Sequence, residues 1–464
     1  IGIIGAGASG LFAAMLINDL KGPLQEAGLI FQHEVLEAET ANSAHPVGGK
    51  LHTHRFSDGP NDYYDRGAMR FPDIPFMQPV KQLIQLLGLD RLVIPYYLSN
   101  PNNIKFFNGK ILIHRQVEQA FSEGDYDPFQ TGVQGLSGNV DKVINDQIGP
   151  FKAALKENFE SGWAKLLEHD GWSTRGYMAM KGTSPTGPYS DQVINYLETF
   201  DTATGLYDQA LSETVMDSLD FDYEPGVEWY CIQGGTGTLA DAMVAKLPPG
   251  TILNDRRVTS LALAEDGSGV SVSCSSAPPK TYRHVVSTIP FSCLRTVNTS
   301  QCNFSWTLKT AIRTLHYDAS TKVAIRFTTR WWEHLSVKGG ADQFGGVSTT
   351  DRPTRVVVYP SYGIGGKDAT MIVSYTWSQD ALRLGALSGG SAVDTLKRVI
   401  LKDLADMHGI TDDNYLLSLV SAFDLWSWYN QENAAGAFPL FGPGQFSNLY
   451  AEVTKPVNGI LHFA

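Results

Sequence analysis

The chain opens Ile1-Gly-Ile-Ile-Gly5-Ala-Gly7-Ala-Ser9-Gly10, and this stretch constrains the fold more than any other. A short apolar run of strand character passes directly into three glycines, and an apolar run of helical character follows at 11–17. Strand, glycine turn and helix in that order form the first crossover of a dinucleotide-binding sheet. Gly5 permits the tight turn, Gly7 lets a pyrophosphate approach the backbone, and Gly10 allows the helix to pack closely on the strand. A second strand, Glu34-Val-Leu-Glu37, ends in an acid followed by Ala38. An acid there accepts hydrogen bonds from both ribose hydroxyls and disfavours a 2′-phosphate, which argues against NADP. Gly10 and Glu37 are further apart than the usual ~20 residues. A loop insertion at 22–28, opening with Gly22-Pro23 and closing on Gly28, is expected to absorb the excess.

The length of 464 residues suits interleaved domains better than one simple core. Hydrophobic residues make up 43 % and charged residues 18 %, the balance of a globular chain. A net charge of −12 excludes a basic nucleic-acid footprint and a polybasic membrane patch. No uncharged apolar run reaches the roughly 18–20 residues of a membrane span. The four cysteines, Cys231, Cys274, Cys293 and Cys302, show no CxxC spacing, so no metal site is expected. Cys293 and Cys302 are close enough in sequence to bridge a short loop. Asn298 and Asn303 each begin a glycosylation acceptor triplet, of a kind that also arises by chance.

Further along, Met77, Val80, Leu83, Ile84 and Leu87 recur at helical spacing. The segments 140–167, 191–200 and 206–219 also read as helices, and the polar, glycine-rich stretch 183–188 reads as a break between them. Strand texture returns at 230–235, 258–263 and 284–288. The runs 322–327, 355–359 and 371–377 alternate apolar and polar residues, the pattern of half-buried strands. The segment 391–408 reads as an amphipathic helix and 460–463 as a last apolar strand. Asp220, Asp222 and Glu224 form an acidic run before the strand at 230. Such runs are usually solvated, but one member facing a pocket would favour a cationic substrate.

Between these elements lies Gly67-Ala-Met-Arg70-Phe-Pro72, which sets a permanent cation among apolar residues. A guanidinium presents paired parallel donors and fits a carboxylate in two contacts. Read alone, Arg70 is either half of a structural ion pair or the anchor for an anionic ligand.

Several separated motifs resemble the flavin amine oxidase superfamily, and within it the L-amino acid oxidases, the fungal ones above all. They are Val35-Leu-Glu37-Ala38, Val47-Gly-Gly49-Lys50, Gly67-Ala-Met69-Arg70, and Gln233-Gly-Gly with Leu239. Val258 in its strand, His316-Tyr317 with Lys322, and Val373-Ser-Tyr375 follow, then Trp428 with Gly436-Ala-Phe438, and Phe441-Gly-Pro-Gly-Gln-Phe446. The resemblance implies an α/β fold in which a Rossmann-like FAD-binding domain is interleaved with a substrate-binding sheet and a helical domain. The expected parts are 1–74, 230–315 and 441–464 for FAD binding, 75–229 for the helical substrate segment and 316–440 for the substrate-binding sheet.

It implies FAD held by Gly5, Gly7, Ser9, Gly10, Glu37, Ala38, Gly49, Lys50, Met69, Arg70, Val258 and Trp428. It further implies Lys322 as the catalytic group near the flavin, with Arg70 and Tyr375 on the substrate carboxylate and Trp428 and Phe438 flanking the pocket. Lys50 stands where the family has arginine; a point charge holds a phosphate oxygen less specifically. The resemblance also leads one to expect a Gly-Glu segment and a flavin-contacting helix beyond Ala464. The implied reaction converts L-amino acids to 2-oxo acids with ammonia and hydrogen peroxide. The partners are then the amino acid and oxygen, with a homodimer as the expected assembly, no nucleic acid, no membrane and no metal. The compartment stays open between extracellular, slightly favoured, and cytoplasmic. Two alternatives also stay open: a monoamine or polyamine oxidase on the same fold, and a flavin-binding homologue without oxidase activity.

Overall fold

Five short parallel strands make the sheet that carries the glycine turn: Ile252–Leu253, Glu34–Leu36, Gly2–Ile4, Val285–Ser287 and Leu461–Phe463, in that order. The computed structural model describes residues 1–182, 188–221, 223–338, 340–412 and 414–464. Ile3, Val35, Val285 and Leu461 are wholly buried, as expected of a parallel sheet covered on both faces. The chain returns to this sheet after two long excursions, so the architecture is α/β with interleaved parts, as anticipated.

The helix after the turn runs through Ala8–Glu26. This corrects the expected loop insertion at 22–28: Gly22 and Pro23 lie inside the helix, and the excess spacing is helix length. Gly28, at φ +82, is the residue that ends it. The Leu29 amide donates to the Leu24 carbonyl at 2.8 Å, a glycine-dependent helix stop.

The first excursion contains a helical cluster. The single helix expected at 140–167 is two, Val140–Glu157 and Phe159–Leu167, broken at Asn158. Asn158 adopts an extended backbone and its side chain accepts from the Ser161 amide at 2.9 Å, so it caps the second helix. Asp191–Phe200 is a helix as read, whereas 206–219 is a short turn followed by Leu211–Phe221. The break expected at 183–188 falls, apart from Pro188, outside the described residues, as does Asp222.

A seven-stranded sheet takes five strands from the second excursion and two, Ile104–Phe107 and Lys110–Ile113, from the first. Val420–Ser427 forms one edge, followed by Ser320–Phe327, Thr370–Trp377 and Val356–Val358. The runs 322–327 and 371–377 were expected to be half-buried; the strands they form are buried on both faces. Val323, Ile325, Met371 and Val373 pack under the helix Ala392–Met407, while Ala324, Ile372 and Tyr375 face Met69 and Trp229. The alternating polar residues survive burial because they are bonded: Thr321 Oγ1 donates to the Ala381 carbonyl at 2.8 Å and Ser374 Oγ to that of Thr354 at 2.9 Å. Cys293 and Cys302 are not bridged. Both thiols are free and buried, aimed at the carbonyls of Glu432 and Leu261. Among the described residues no helix is long and apolar enough to cross a membrane, and none form a group able to hold a metal ion.

The glycine turn supplies a test of this packing. A Cβ on Gly10 would stand 1.9 Å from the Gly5 carbonyl oxygen, whereas one on Gly22 would meet nothing within 4 Å. Gly10→Ala is therefore expected to destabilise the protein by about 1–3 kcal/mol or more. Gly22→Ala, in the same helix, should stabilise it by roughly 0.5–1 kcal/mol. Denaturant unfolding of the two variants beside the parent checks the pair, and equal effects would refute the close contact.

Candidate active site

The nucleotide end is built from backbone. The helix Ala8–Glu26 begins at Gly7 with no side chain capping it and no acid in its first turn, and Ala8 and Ser9 are exposed there. Its free N–H groups and dipole make an anion site. A Cβ on Gly7 would find only the Gly49 Cα at 3.9 Å, so the backbone surface is open to a phosphate. Gly48 and Gly49 (φ +104 and +55) press against this turn; Gly48 donates to the Ala6 carbonyl at 2.8 Å. Glu37 is buried at the tip of its strand. It accepts from the Ala6 amide at 2.7 Å and the Glu39 amide at 2.9 Å, leaving the second lone pairs of both oxygens for ribose hydroxyls. Burial pushes its carboxyl up, and the two amides pull it back. Ala38 follows it, half-buried, and Val258 is buried in the neighbouring sheet. The residues present fit an FAD. The Lys50 ammonium donates to the Ala437 carbonyl at 2.6 Å, and burial draws it down to about 8.

The substrate end gathers around Lys322. This lysine pairs with Tyr375 on the adjacent strand, and its Nζ lies 4.7 Å from the Tyr375 ring centre. It is not a solvated lysine at a strand end: it is 2 % exposed. Nζ donates to the carbonyls of Asp65 (2.9 Å) and Gly67 (2.7 Å) and lies 3.6 Å from Met69 Sδ. Burial draws it down to about 7, with the Asp65 carboxylate opposing and the Arg70 charge reinforcing the shift. That carboxylate is itself buried, accepting from Thr53 Oγ1 at 2.6 Å and the Thr236 amide at 2.9 Å.

Arg70 has no carboxylate partner among the described residues. Its guanidinium lies 5.3 Å from the Phe221 ring centre and 5.7 Å from those of Trp229 and Tyr96, and donates a long bond of 3.4 Å to Tyr96 Oη. Trp428 is buried, its Nε1 donating to the Arg66 carbonyl at 2.9 Å. It stands edge-on to Trp426 at 5.5 Å. Phe438 is 38 % exposed on a strand paired with His316–Asp318 and is not brought to Arg70 by any described contact.

Five residues of this site were not read from sequence, Phe221 among them. Tyr96 and Trp229 flank Arg70; Asp65 is the charge facing Lys322; and Asp424 grips Arg66 with two bonds of 2.6 and 2.9 Å. Trp229 lies one residue before the strand that was read, and Asp65 three before the Ala-Met-Arg70 motif, so adjacency was the available signal. In the acidic run, the described Asp220 and Glu224 are exposed, and it is the neighbouring Phe221 that reaches Arg70.

Two expectations follow. Glu37→Ala removes the acceptor for the Ala6 amide and for ribose, each hydrogen bond to a charged group contributing about 1.5–3 kcal/mol. FAD should dissociate measurably faster from the variant in equilibrium dialysis; equal retention would show that this strand end does not hold the ribose. For Lys322 the folded state binds its proton more weakly than the unfolded chain, whose lysines titrate near ~10.4. Between about 7 and that value the unfolded state holds more protons, so this group makes stability rise with pH there and adds a constant penalty below. Lys322→Met should flatten that rise in urea unfolding curves taken across the window; an unchanged slope would show that the lysine titrates normally.

Comparison with known proteins agrees with this geometry. The profile of the flavin containing amine oxidoreductases matches residues 8–464. A putative bifunctional amine oxidase of Dictyostelium discoideum is 38 % identical over 494 residues, covering 100 % of this chain and 43 % of that protein. L-amino-acid oxidase 4 of Hebeloma cylindrosporum is 36 % identical over 509 residues, covering 100 % of this chain and 77 % of the relative. The chain thus spans less than half of the first relative and about three-quarters of the second. Among solved structures, cyclohexylamine oxidase from Brevibacterium oxydans IH-35A superposes with a TM-score of 0.68 at 17 % identity, over 100 % of this chain and 92 % of that one. Putrescine oxidase does so with 0.67 at 17 %, with the same coverage. These two likenesses show the fold. With the glycine turn, the free helix N-terminus and Glu37 arranged for FAD, the chain belongs to the flavin-containing amine oxidoreductases.

Proposed function

We propose that this enzyme oxidatively deaminates L-amino acids, releasing a 2-oxo acid, ammonia and hydrogen peroxide. The observation that carries the reading is Arg70, a guanidinium packed among three aromatic rings with no carboxylate beside it among the described residues. A substrate carboxylate completes that site; an amine without one leaves it unmatched. The fungal relative's name points the same way.

Arg70 takes the carboxylate through parallel N–H donors, and the Tyr375 hydroxyl adds a second contact. That fixes which face the α-carbon presents. Trp428 walls the pocket and keeps water from the reacting carbon. The amino acid binds with its amine neutral and loses a proton from nitrogen and a hydride from the α-carbon. Water then adds to the resulting imino acid, and ammonia leaves. FAD, when bound, accepts the electron pair and passes it to oxygen, which takes up two protons to become hydrogen peroxide. Lys322 places a titratable cation where negative charge develops.

Truncating one side of a desolvated charge pair costs about 2–5 kcal/mol. Arg70→Leu should therefore slow anaerobic flavin reduction per unit of L-amino acid roughly 30- to several-thousand-fold. Arg70→Lys should recover only part of the loss. The corresponding amides and decarboxylated amines should be poor substrates for the parent, yet lose far less in Arg70→Leu. If amines and amino acids suffer alike, or if amines are the better substrates of the parent, the enzyme is an amine oxidase and Arg70 is structural.

A further inference from the structure

Of the three rings around the Arg70 guanidinium, one carries a hydroxyl that the protein leaves half used. Tyr96 is 7 % exposed. Its amide donates to the Trp229 carbonyl at 2.7 Å, so the residue extends the pairing of the strand Val93–Pro95 with Trp229–Ile232, and the sheet fixes its place. Its oxygen accepts from Arg70 Nη1 at 3.4 Å, beyond the usual range of roughly 2.7–3.2 Å for an N–H···O bond. A phenol is a donor as well as an acceptor. Among the described residues nothing accepts the Tyr96 proton; the long bond from Arg70 is the one contact its hydroxyl makes.

A hydroxyl is not needed to hold the cation. Phe221 meets the same guanidinium at 5.3 Å with a ring that has no polar atom. Burying a hydroxyl costs free energy unless it is hydrogen-bonded, and a buried polar group without a partner calls for a reason. Two donors therefore stand side by side, Arg70 Nη1 and the Tyr96 O–H, and neither has a good acceptor. An oxygen about 2.8 Å from Nη1 is within hydrogen-bond reach of a hydroxyl 3.4 Å from the same nitrogen, so one atom can accept from both. To suit the guanidinium that atom belongs to an anion. A carboxylate offers about four lone-pair sites. The arginine fork fills two and the Tyr375 hydroxyl a third, which leaves one for Tyr96.

We infer that the Tyr96 hydroxyl is a further donor to the substrate carboxylate and takes the lone pair that Arg70 and Tyr375 leave. The inference rests on the L-amino acid reading and deepens it. Charge alone attracts any anion; a donor beside the fork rewards an oxygen that already sits on Nη1. A site that hydrogen-bonds its substrate rejects an analogue lacking the bonded group more strongly than a site that only encloses it. A decarboxylated amine presents no oxygen to Tyr96, so removing the hydroxyl changes nothing for it.

The test uses the holoenzyme and Tyr96→Phe, which keeps the ring and removes the hydroxyl. Benzoate, a carboxylate with no amine to oxidise, is titrated into the oxidised enzyme and followed through the flavin spectrum. Tyr96→Phe should bind it roughly ten- to a hundredfold more weakly, the factor that corresponds to one hydrogen bond to a charged group. In anaerobic flavin reduction, half-saturation by L-amino acids should rise by a similar factor. The limiting rate should stay within about threefold of the parent, because the bond is the same before and during the reaction. Decarboxylated amines should reduce both proteins alike. Crystals of the parent with benzoate give a reading that no variant's folding affects: a carboxylate oxygen should lie roughly 2.5–3.0 Å from Tyr96 Oη. Equal benzoate affinity in the parent and Tyr96→Phe, or a carboxylate on Arg70 with Tyr96 Oη turned away from it, would overturn the proposal. If Arg70→Leu weakens benzoate and Tyr96→Phe does not, the hydroxyl has no role and the amino acid reading stands. If neither variant changes the titration, both fail.

Discussion

One ammonium ties the substrate sheet to the nucleotide-binding part. Lys322 sits on the second strand from one edge of the seven-stranded sheet and donates to the carbonyls of Asp65 and Gly67. The carbonyl between them, that of Arg66, accepts from the Trp428 indole. Three consecutive carbonyls are thus held by a strand side chain and by Trp428, which follows directly on the adjacent strand, and the Ala68 amide is returned to the Lys50 carbonyl at 3.2 Å. A loop fixed at every residue has one way to present the next two, Met69 and Arg70. Gly67 is required for this geometry: a Cβ there would stand 1.8 Å from the Lys50 oxygen and 3.4 Å from the Trp428 ring. Burying a lysine is costly unless it is bonded and faced by opposite charge. The two carbonyls and the Asp65 carboxylate meet both conditions.

Aromatic rings around Arg70 serve the site differently from a carboxylate. A resident acid would form a charge-assisted pair that a substrate must first displace. Contact with the Phe221, Trp229 and Tyr96 rings holds the guanidinium in place with weaker interactions, about 0.5–2 kcal/mol each, and apart from one long bond to Tyr96 Oη no protein acceptor takes its N–H groups among the described residues. The arginine is oriented without being neutralised. Phe221 comes from the end of the helix Leu211–Phe221, Trp229 from the strand Trp229–Ile232 and Tyr96 from just past the strand Val93–Pro95. The helical segment therefore supplies one of the three rings around Arg70.

The glycine turn, the buried strands at 2–4 and 285–287, and the strand at 258–263 were legible because each depends on local pattern: glycine where no side chain fits, apolar runs where both faces are covered. The helix through Gly22-Pro23 was misread because proline usually breaks a helix, but here it stands in the last turn, where few bonds remain to be lost. The strand of Lys322 was read as half-buried because alternation cannot show that its polar members find partners across the sheet. Arg70 stood out as an unmatched cation, yet its cage did not, since Tyr96, Phe221 and Trp229 lie 26 to 159 residues away and meet it only in the folded chain. The same holds for Asp424, which reaches Arg66 across 358 residues.

The two cations of the site are linked. The Arg70 charge is one of the forces that hold Lys322 below the usual lysine range. An anion on Arg70 cancels that repulsion, so the lysine binds its proton more firmly in the occupied site than in the empty one. Linkage is reciprocal: whatever anion binding does for the proton, the proton does for anion binding. Under the proposed reading, a substrate carboxylate on Arg70 would favour the charged form of Lys322, a consequence that an amine lacking the carboxylate would not produce.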